Sequence, residues 1–105
     1  MQKKVVLLKV KEGKLETWRE WCNVLENTRR EEAKETLLGE KVTEELCVLI
    51  DLNGAPHVVG FMEGEMLPAD MSREINQKHD MMKKECLEYA GEGESLYHLK
   101  ETGKQ

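Results

Sequence analysis

The fold is decided by residues 46–62, which read LCVLIDLNGAPHVVGFM. Two apolar runs flank Asn53-Gly54, and this dipeptide between such runs is the strongest short-range signal for a β-hairpin. A two-residue turn fixes which residues face each other, because a slip of one residue would move every side chain to the other face. The facing pairs are then Leu52–Ala55, Ile50–His57, Leu49–Val58, Val48–Val59, Cys47–Gly60 and Leu46–Phe61. Pro56 lacks an N–H to donate, which assigns it to the hairpin mouth or to a sheet edge.

A strand and a long helix precede the hairpin. Residues 5–10 are nearly all apolar and rich in β-branched side chains, which favours a strand buried on both faces. Gly13 ends it. Apolar residues then recur at helical spacing and predict one helix over 15–38, with a stripe formed by Leu15, Trp18, Cys22 and Leu25. Residues 26–35 are almost wholly charged, so the second half of this helix is expected to project into solvent, with Gly39 as its C-terminal cap.

A second helix and a last strand follow the hairpin. Asp70 or Ser72 is suited to cap the start of the helix, which is predicted to run to Ala90 and to stop at Gly91. Residues 95–100 read SLYHLK, which favours a strand. The tail, 102–105, is expected to be loose.

The predicted order, β-α-β-β-α-β, is that of a single ferredoxin-like α+β domain over residues 1–105. Such a domain has a four-stranded antiparallel sheet with two helices on one face. Those helices cover one face only, whereas the first strand and the hairpin are apolar on both. A twofold-related copy would cover the other face, so the chain is predicted to form a homodimer, a dimeric α/β barrel.

Composition excludes several classes of partner. The chain has 105 residues, of which 35% are charged, and a net charge of −5. No basic stripe indicates a nucleic-acid partner. No apolar run is long enough to span a bilayer, and the N-terminus lacks the apolar region of a signal peptide, so no membrane partner is expected.

The cysteines point to a reducing compartment. Cys22, Cys47 and Cys86 are an odd number and lack the C-x-x-C spacing of zinc or redox sites. Each lies among apolar neighbours, so we interpret them as reduced core residues of a cytoplasmic protein. One reactive thiol is the alternative.

The chain also resembles a family of small bacterial proteins. The segments that carry the resemblance are 9–14 (KVKEGK), 18–21 (WREW), 29–33 (RREEA), 44–46 (EEL), His79 with 85–87 (ECL), and 96–98 (LYH). This family is known only as a domain of unknown function, and the resemblance covers nearly the whole chain. It implies membership of the dimeric α/β-barrel superfamily, which includes cofactor-independent monooxygenases, lactone isomerases, sugar mutarotases and haem-binding enzymes. None of their site motifs stands clearly in this sequence, so the resemblance transfers no activity.

His79 is the leading candidate for a functional residue. It lies at the centre of the apolar stripe of the second helix, four residues after Ile75 and three before Met82. Burial there would lower the pKa of the imidazole and leave it able to act as an acid, a base or a ligand. The alternative is a buried histidine that is simply hydrogen-bonded. Glu45 lies on the same predicted sheet face as Cys47 and Gly60, and it would form an acid–base pair with His79.

A pocket is predicted between helices and sheet around His79. Its other expected residues are Trp18, Trp21, Cys47, Gly60, Met82 and His98. Each also has a structural interpretation: the tryptophans as core, and Gly60 as a site of close helix packing. No cofactor is expected, and no metal either, because His57, His79 and His98 lack the spacing of a metal motif.

Two functions are therefore open. The first is binding of a small molecule in this pocket, with His79 as the catalytic group if the protein is an enzyme. The second is a non-catalytic dimeric interaction or structural module that presents the charged helix. An open cavity near His79 favours the first function, and a core filled by Met62 and Met82 favours the second.

Overall fold

The structure, a computed structural model, describes residues 2–101; the tail expected at 102–105 lies outside them. Its helices and strands are β1 Gln2–Val10, α1 Leu15–Asn23, α2 Arg30–Glu40, β2 Val42–Leu52, β3 Ala55–Gly64, α3 Glu74–Cys86 and β4 Leu87–Glu92. The strands form one antiparallel sheet in the order β2-β3-β1-β4. Among residues 2–101, no helix has the length and apolar character needed to cross a membrane.

The hairpin is confirmed residue by residue. All six facing pairs predicted from the Asn53-Gly54 turn are found between β2 and β3. Asn53 and Gly54 both have positive φ, 56° and 83°, as a type I′ turn requires. Asp51 steadies the turn, since its carboxylate accepts a 2.8 Å hydrogen bond from the Gly54 N–H. Pro56 lies at the hairpin mouth, beyond the residues of β3 that pair with β1.

The prediction of a single helix over 15–38 is wrong, because a π-helical turn at Val24–Thr28 divides this segment into α1 and α2. The N–H of Arg29 reaches back five residues to the carbonyl of Val24, at 2.8 Å. A π turn holds one residue more than an α turn, so it rotates the helix that follows by about 100°. The second half of the predicted helix, which is α2, does not project into solvent. Ion pairs formed by Arg29 at the start of α2 and by Arg73 at the start of α3 join the two helices.

The end of α2 differs from prediction by two residues. Gly39 is helical, and Lys41 takes the left-handed cap position with φ of 54°. Its N–H donates to the carbonyl of Leu38 at 3.2 Å. The strand that follows then begins at once, at Val42.

The second helix and the last strand also differ from prediction. α3 covers Glu74–Cys86 and is four residues shorter at its C-terminal end than expected. Leu87 is extended and begins β4, which pairs with the free edge of β1. No strand is found at 95–100 within the described part of the chain. The apolar pattern misled here because Cys86 and Leu87 are both buried, whereas Tyr89, which the predicted helix included, is exposed.

The core lies between the sheet and the helices. It consists of Val10, Trp18, Trp21, Val58, Ile75, Met82, Cys86 and Leu87. The other sheet face, here called the outer face, is open: alternate residues of β2 remain 36–52% exposed, namely Leu46, Val48, Ile50 and Leu52. Residues 93–101 lie partly along this face, where Lys100 pairs with Glu63 at 3.1 Å.

The α+β class and the four-stranded antiparallel sheet predicted from the sequence are confirmed. The six-element ferredoxin-like pattern is not reproduced as predicted. Residues 2–101 contain three α-helices, because the π turn divides the first predicted one, and the fourth strand comes from 87–92.

Candidate functional site

A cleft of about 650 Å³ lies where α1, α2 and α3 meet β2. Part of its wall is apolar: Leu25, Ala33, Leu37, Met62, Met71 and Ile75. Another part is charged or polar: Arg30, Glu40, Glu45, His79, Asp80 and Lys83. The π turn creates one wall, because the rotation it imposes turns Ala33, Leu37 and Glu40 of α2 toward the sheet. A volume of this size is typical of small-molecule sites, which span about 300–1,000 Å³.

His79 lies at the inner end of the cleft against the two tryptophans of α1. Its ring centroid is 6.2 Å from that of Trp18 and 6.0 Å from that of Trp21. The indole N–H of Trp21 donates a 2.8 Å hydrogen bond to Nδ1 of His79. Burial between the helices, together with the nearby charge of Lys83, lowers the pKa of His79 to about 4.

The hydrogen bond from Trp21 determines the tautomer of His79. Indole N–H is a donor only, so Nδ1 must accept and carries no proton in the neutral ring. The ring proton of neutral His79 is therefore on Nε2. Because the pKa is near 4, His79 at neutral pH is an N–H donor, and its one basic nitrogen is already occupied.

Two carboxylates and one lysine in the charged part of the cleft influence one another. Burial raises the pKa of Glu45, and it also raises the pKa of Glu40, to which the charge of Glu45 adds. The ammonium of Lys83 opposes the rise at both carboxylates. The side chain of Glu45 is open to the cleft. It lies in a concave part of the wall, however, where the surrounding protein atoms limit its hydration. No hydrogen bond joins Glu45 to His79 among the described residues; the partner of His79 is Trp21.

Cys47 of β2 and Cys22 of α1 both line the cleft. The neighbouring Cys22 thiol, and to a smaller extent Trp18, lowers the pKa of Cys47, against the effect of burial. The neighbouring Cys47 thiol raises the pKa of Cys22, and burial raises it further.

Arg29 holds α2 against α3. Its guanidinium donates to Glu32 at 2.9 and 3.0 Å and to Glu74 at 2.7 Å. These bonds raise the pKa of Arg29 and lower that of Glu32. A fork of donors that meets two carboxylates from different helices fixes their relative orientation.

The remaining predicted pocket residues lie outside the cleft. Met82 is buried in the core. Gly60 packs closely against Val6 of the neighbouring strand, since a Cβ there would approach a methyl group of Val6 to 3.3 Å. His98 lies on the outer face, in a shallower groove of about 420 Å³ shared with Lys3 and Phe61. The sheet therefore separates His98 from His79.

Comparison with protein families places the chain in the context of its relatives. A family of unknown function, DUF6176, matches residues 1–103. The chain belongs to this family. No curated protein and no solved structure matches it. Membership of a family of unknown function, predicted from the sequence, is thus confirmed, while bacterial origin and the dimeric α/β-barrel superfamily stay predictions.

Sequence reasoning missed three residues of this site: Cys22, Glu40 and Lys83. Cys22 was assigned to the helix stripe, and Lys83 lies one helical turn after His79 on α3, so helical spacing could have found both. Glu40 could not be found, because its position follows from the rotation at the π turn. No cluster of three or more metal-ligating side chains is found within residues 2–101.

Proposed function

We propose that this protein binds a small molecule in the cleft, with the Nε2–H of His79 donating to an acceptor oxygen of that molecule. The observation that carries the proposal is a neutral imidazole in the wall of an open cleft. Trp21 occupies one ring nitrogen, which leaves Nε2–H as the polar group for a ligand. A bound molecule would exclude water from this part of the cleft, and its oxygen would then replace water as the hydrogen-bond partner of the N–H.

The wall indicates the chemistry of the ligand. Apolar side chains such as Leu25 and Leu37 suit a hydrocarbon part, and Lys83 supplies a positive charge beside His79. A small molecule with an apolar body and a carbonyl or carboxylate oxygen meets both. Met62 lies on the wall and Met82 in the core, so neither fills the cleft, which weighs against the module without a ligand.

If the protein is an enzyme, the acid–base roles divide between two groups. Neutral His79 would stabilise negative charge on a substrate oxygen, as a donor that needs no protonation at neutral pH. Glu45, with its raised pKa, would move the proton. Glu45 and His79 would then act on the substrate separately, because the hydrogen-bond partner of His79 is Trp21.

The test is differential scanning fluorimetry against a panel of small carboxylic acids, amides and ketones at millimolar concentration. We expect some of them to raise the Tm of the wild-type chain and to have little effect on Ala33→Trp, in which an indole fills the cleft. His79→Gln should weaken the same responses, whereas His57→Gln, at the hairpin mouth, should retain them. The proposal is wrong if no compound stabilises the wild type or if Ala33→Trp responds equally.

We also propose that the active unit is a homodimer in which a second copy covers the outer face, as in a dimeric α/β barrel. The support is the row of half-exposed apolar side chains on β2, which in one chain alone would meet water. Isologous packing of two such faces buries both rows at once. A cytoplasmic, reducing location completes this proposal, because Cys22, Cys47 and Cys86 are free thiols.

A further inference from the structure

The segment after β4, residues 93–101 and here called the arm, is held against the outer face at two points. At the first point, the N–H of Gly93 donates a 2.7 Å hydrogen bond to the carbonyl of Val5 on β1. At the second point, Lys100 forms its 3.1 Å ion pair with Glu63 on β3. Between these points the arm forms one wall of the shallow groove on this face. The arm therefore lies over β1 and β3 and leaves the β2 side of the outer face open.

The arm is longer than the distance between its two anchors, so its middle rises above the sheet. Val5 pairs with Phe61, two residues from Glu63 along β3, which puts the two anchor points on the sheet about 8 Å apart. Residues 94–100 can span about 23 Å, which exceeds this distance even when the side chains of the ion pair are added to it. Three large apolar side chains in the raised part are 82–84% exposed, namely Leu96, Tyr97 and Leu99.

The raised part of the arm and the open row on β2 are two apolar surfaces that the chain does not bring together. The row is 36–52% exposed and consists of Leu46, Val48, Ile50 and Leu52. With the three side chains of the arm, it exposes about as much as four fully exposed residues, or about 800 Å² per chain at roughly 200 Å² each. One partner of a stable specific interface buries about 800 Å². The largest apolar patch of a typical monomer is smaller, about 300–600 Å².

We propose that the arm of each chain packs on the β2 row of a second copy, with Leu96, Tyr97 and Leu99 as its contact residues. This inference rests on the proposed homodimer and adds the segment that makes the contact. Both ends of the arm are held over β1 and β3, so its apolar side chains do not cover β2 of their own chain.

Twofold symmetry satisfies both surfaces at once. An axis that runs along the strands, between the arm and β2, brings each arm onto the β2 row of the other copy. Because the arms stand above the sheets, two outer faces cannot pack flat on each other without the arms between them. The arm is therefore part of any dimer that forms through this face.

The first test compares two triple variants by sedimentation equilibrium. The arm variant combines Leu96→Ser, Tyr97→Ser and Leu99→Ser. We expect it to raise the Kd of the dimer at least about 100-fold, with little change in the far-ultraviolet circular dichroism of the chain. The control variant removes side chains that are 53–79% exposed elsewhere, through Leu38→Ser, Met81→Ser and Tyr89→Ser, and it should leave the Kd nearly unchanged.

The outcomes of this test separate the arm from the dimer itself. If the wild type is a dimer and the arm variant has the same Kd, the inference is overturned and the proposed homodimer stands. A wild type that is monomeric at high concentration overturns both. An equal loss of association in the two triple variants overturns the inference too, because the effect would then not depend on the arm.

The second test locates the contact by photocrosslinking. The photoreactive residue p-benzoylphenylalanine replaces Tyr97, and isotope-labelled chains are mixed with unlabelled chains before irradiation. We expect crosslinks that join a labelled chain to an unlabelled one, with the attachment point at residues 46–52 as located by tandem mass spectrometry. Crosslinks to β2 of the same chain, or to the helices of another chain, would contradict the proposed contact.

Discussion

His79 is held neutral by its immediate neighbours rather than by the cleft as a whole. Trp21 donates to Nδ1, and the tryptophan rings of α1 exclude water from the imidazole. The 3.6-residue period of the second helix places His79 on the buried stripe, so its burial was predictable from the sequence. Its tautomer was not, because it depends on a donor 58 residues away.

The state of His79 has a consequence for stability in acid. Its pKa in the folded chain is about 4, against an ordinary value of 6.5. Between these values the unfolded chain binds more protons than the folded one, so the free energy of unfolding falls as the pH is lowered. We expect a loss of about 3 kcal/mol between pH 6.5 and pH 4, measured by urea denaturation at several pH values.

A matched pair of variants isolates this contribution from that of the carboxylates. In His79→Gln the curve of stability against pH should be flatter over this window than in the wild type. His57→Gln should keep the wild-type slope. Equal slopes in the wild type and His79→Gln would show that His79 titrates normally.

At the scale of elements, the segment from α2 to β2 carries a mismatch between sequence and backbone. Gly39 lies inside a helix and in open space, where its missing side chain gives no benefit. Lys41, with a full side chain, takes the left-handed position that favours glycine. The end of α2 was therefore predicted from Gly39 to within two residues. The π turn upstream has no comparable pattern in the sequence.

Replacement of Gly39 by alanine should stabilise the protein. A Cβ at this position meets nothing within 4 Å, and alanine in an exposed helix is favoured over glycine by about 0.5–1 kcal/mol. Gly64→Ala is the control in the opposite direction, because its Cβ would collide with the carbonyl oxygen of Lys41 at a φ of 147°. Thermal unfolding should show a higher Tm for the first variant and a lower one for the second, and a drop in both would contradict the helical environment of Gly39.

The elements also show why some of the fold was predictable and some was not. The hairpin is local: two turn residues and alternating side chains determine it, and all its facing pairs were correct. β4 is not local, because the segment that follows Cys86 becomes a strand by pairing with the free edge of β1. The cleft depends on both effects together, so only the residues of its α1, α3 and β2 walls could be anticipated.

At the scale of the whole molecule, the open outer face is the feature that one chain does not account for. Val48 is 43% exposed on that face, and its neighbour Leu49 is 45% exposed on the opposite face. The two side chains are about equally exposed but lie on opposite faces of the sheet. They are therefore a matched pair for testing which face associates.

Val48→Lys should shift a dimer toward single chains, because a charge at the centre of an apolar interface is left unpaired. Leu49→Lys should leave the association unchanged. Size-exclusion chromatography with light scattering distinguishes one chain of 12.1 kDa from two. Association that is equally sensitive to both substitutions, or a wild-type chain that is monomeric at high concentration, would exclude a dimer through the outer face.

The most direct measurement of the central claim is native mass spectrometry of freshly purified protein, which reports any small molecule retained in the cleft. For the wild type we predict an added mass that disappears on denaturation, and for Ala33→Trp the mass of the chain alone. If the wild type carries no added mass even after incubation with a small-molecule extract of cells, or if Ala33→Trp retains the same molecule, the cleft beside His79 is not a binding site.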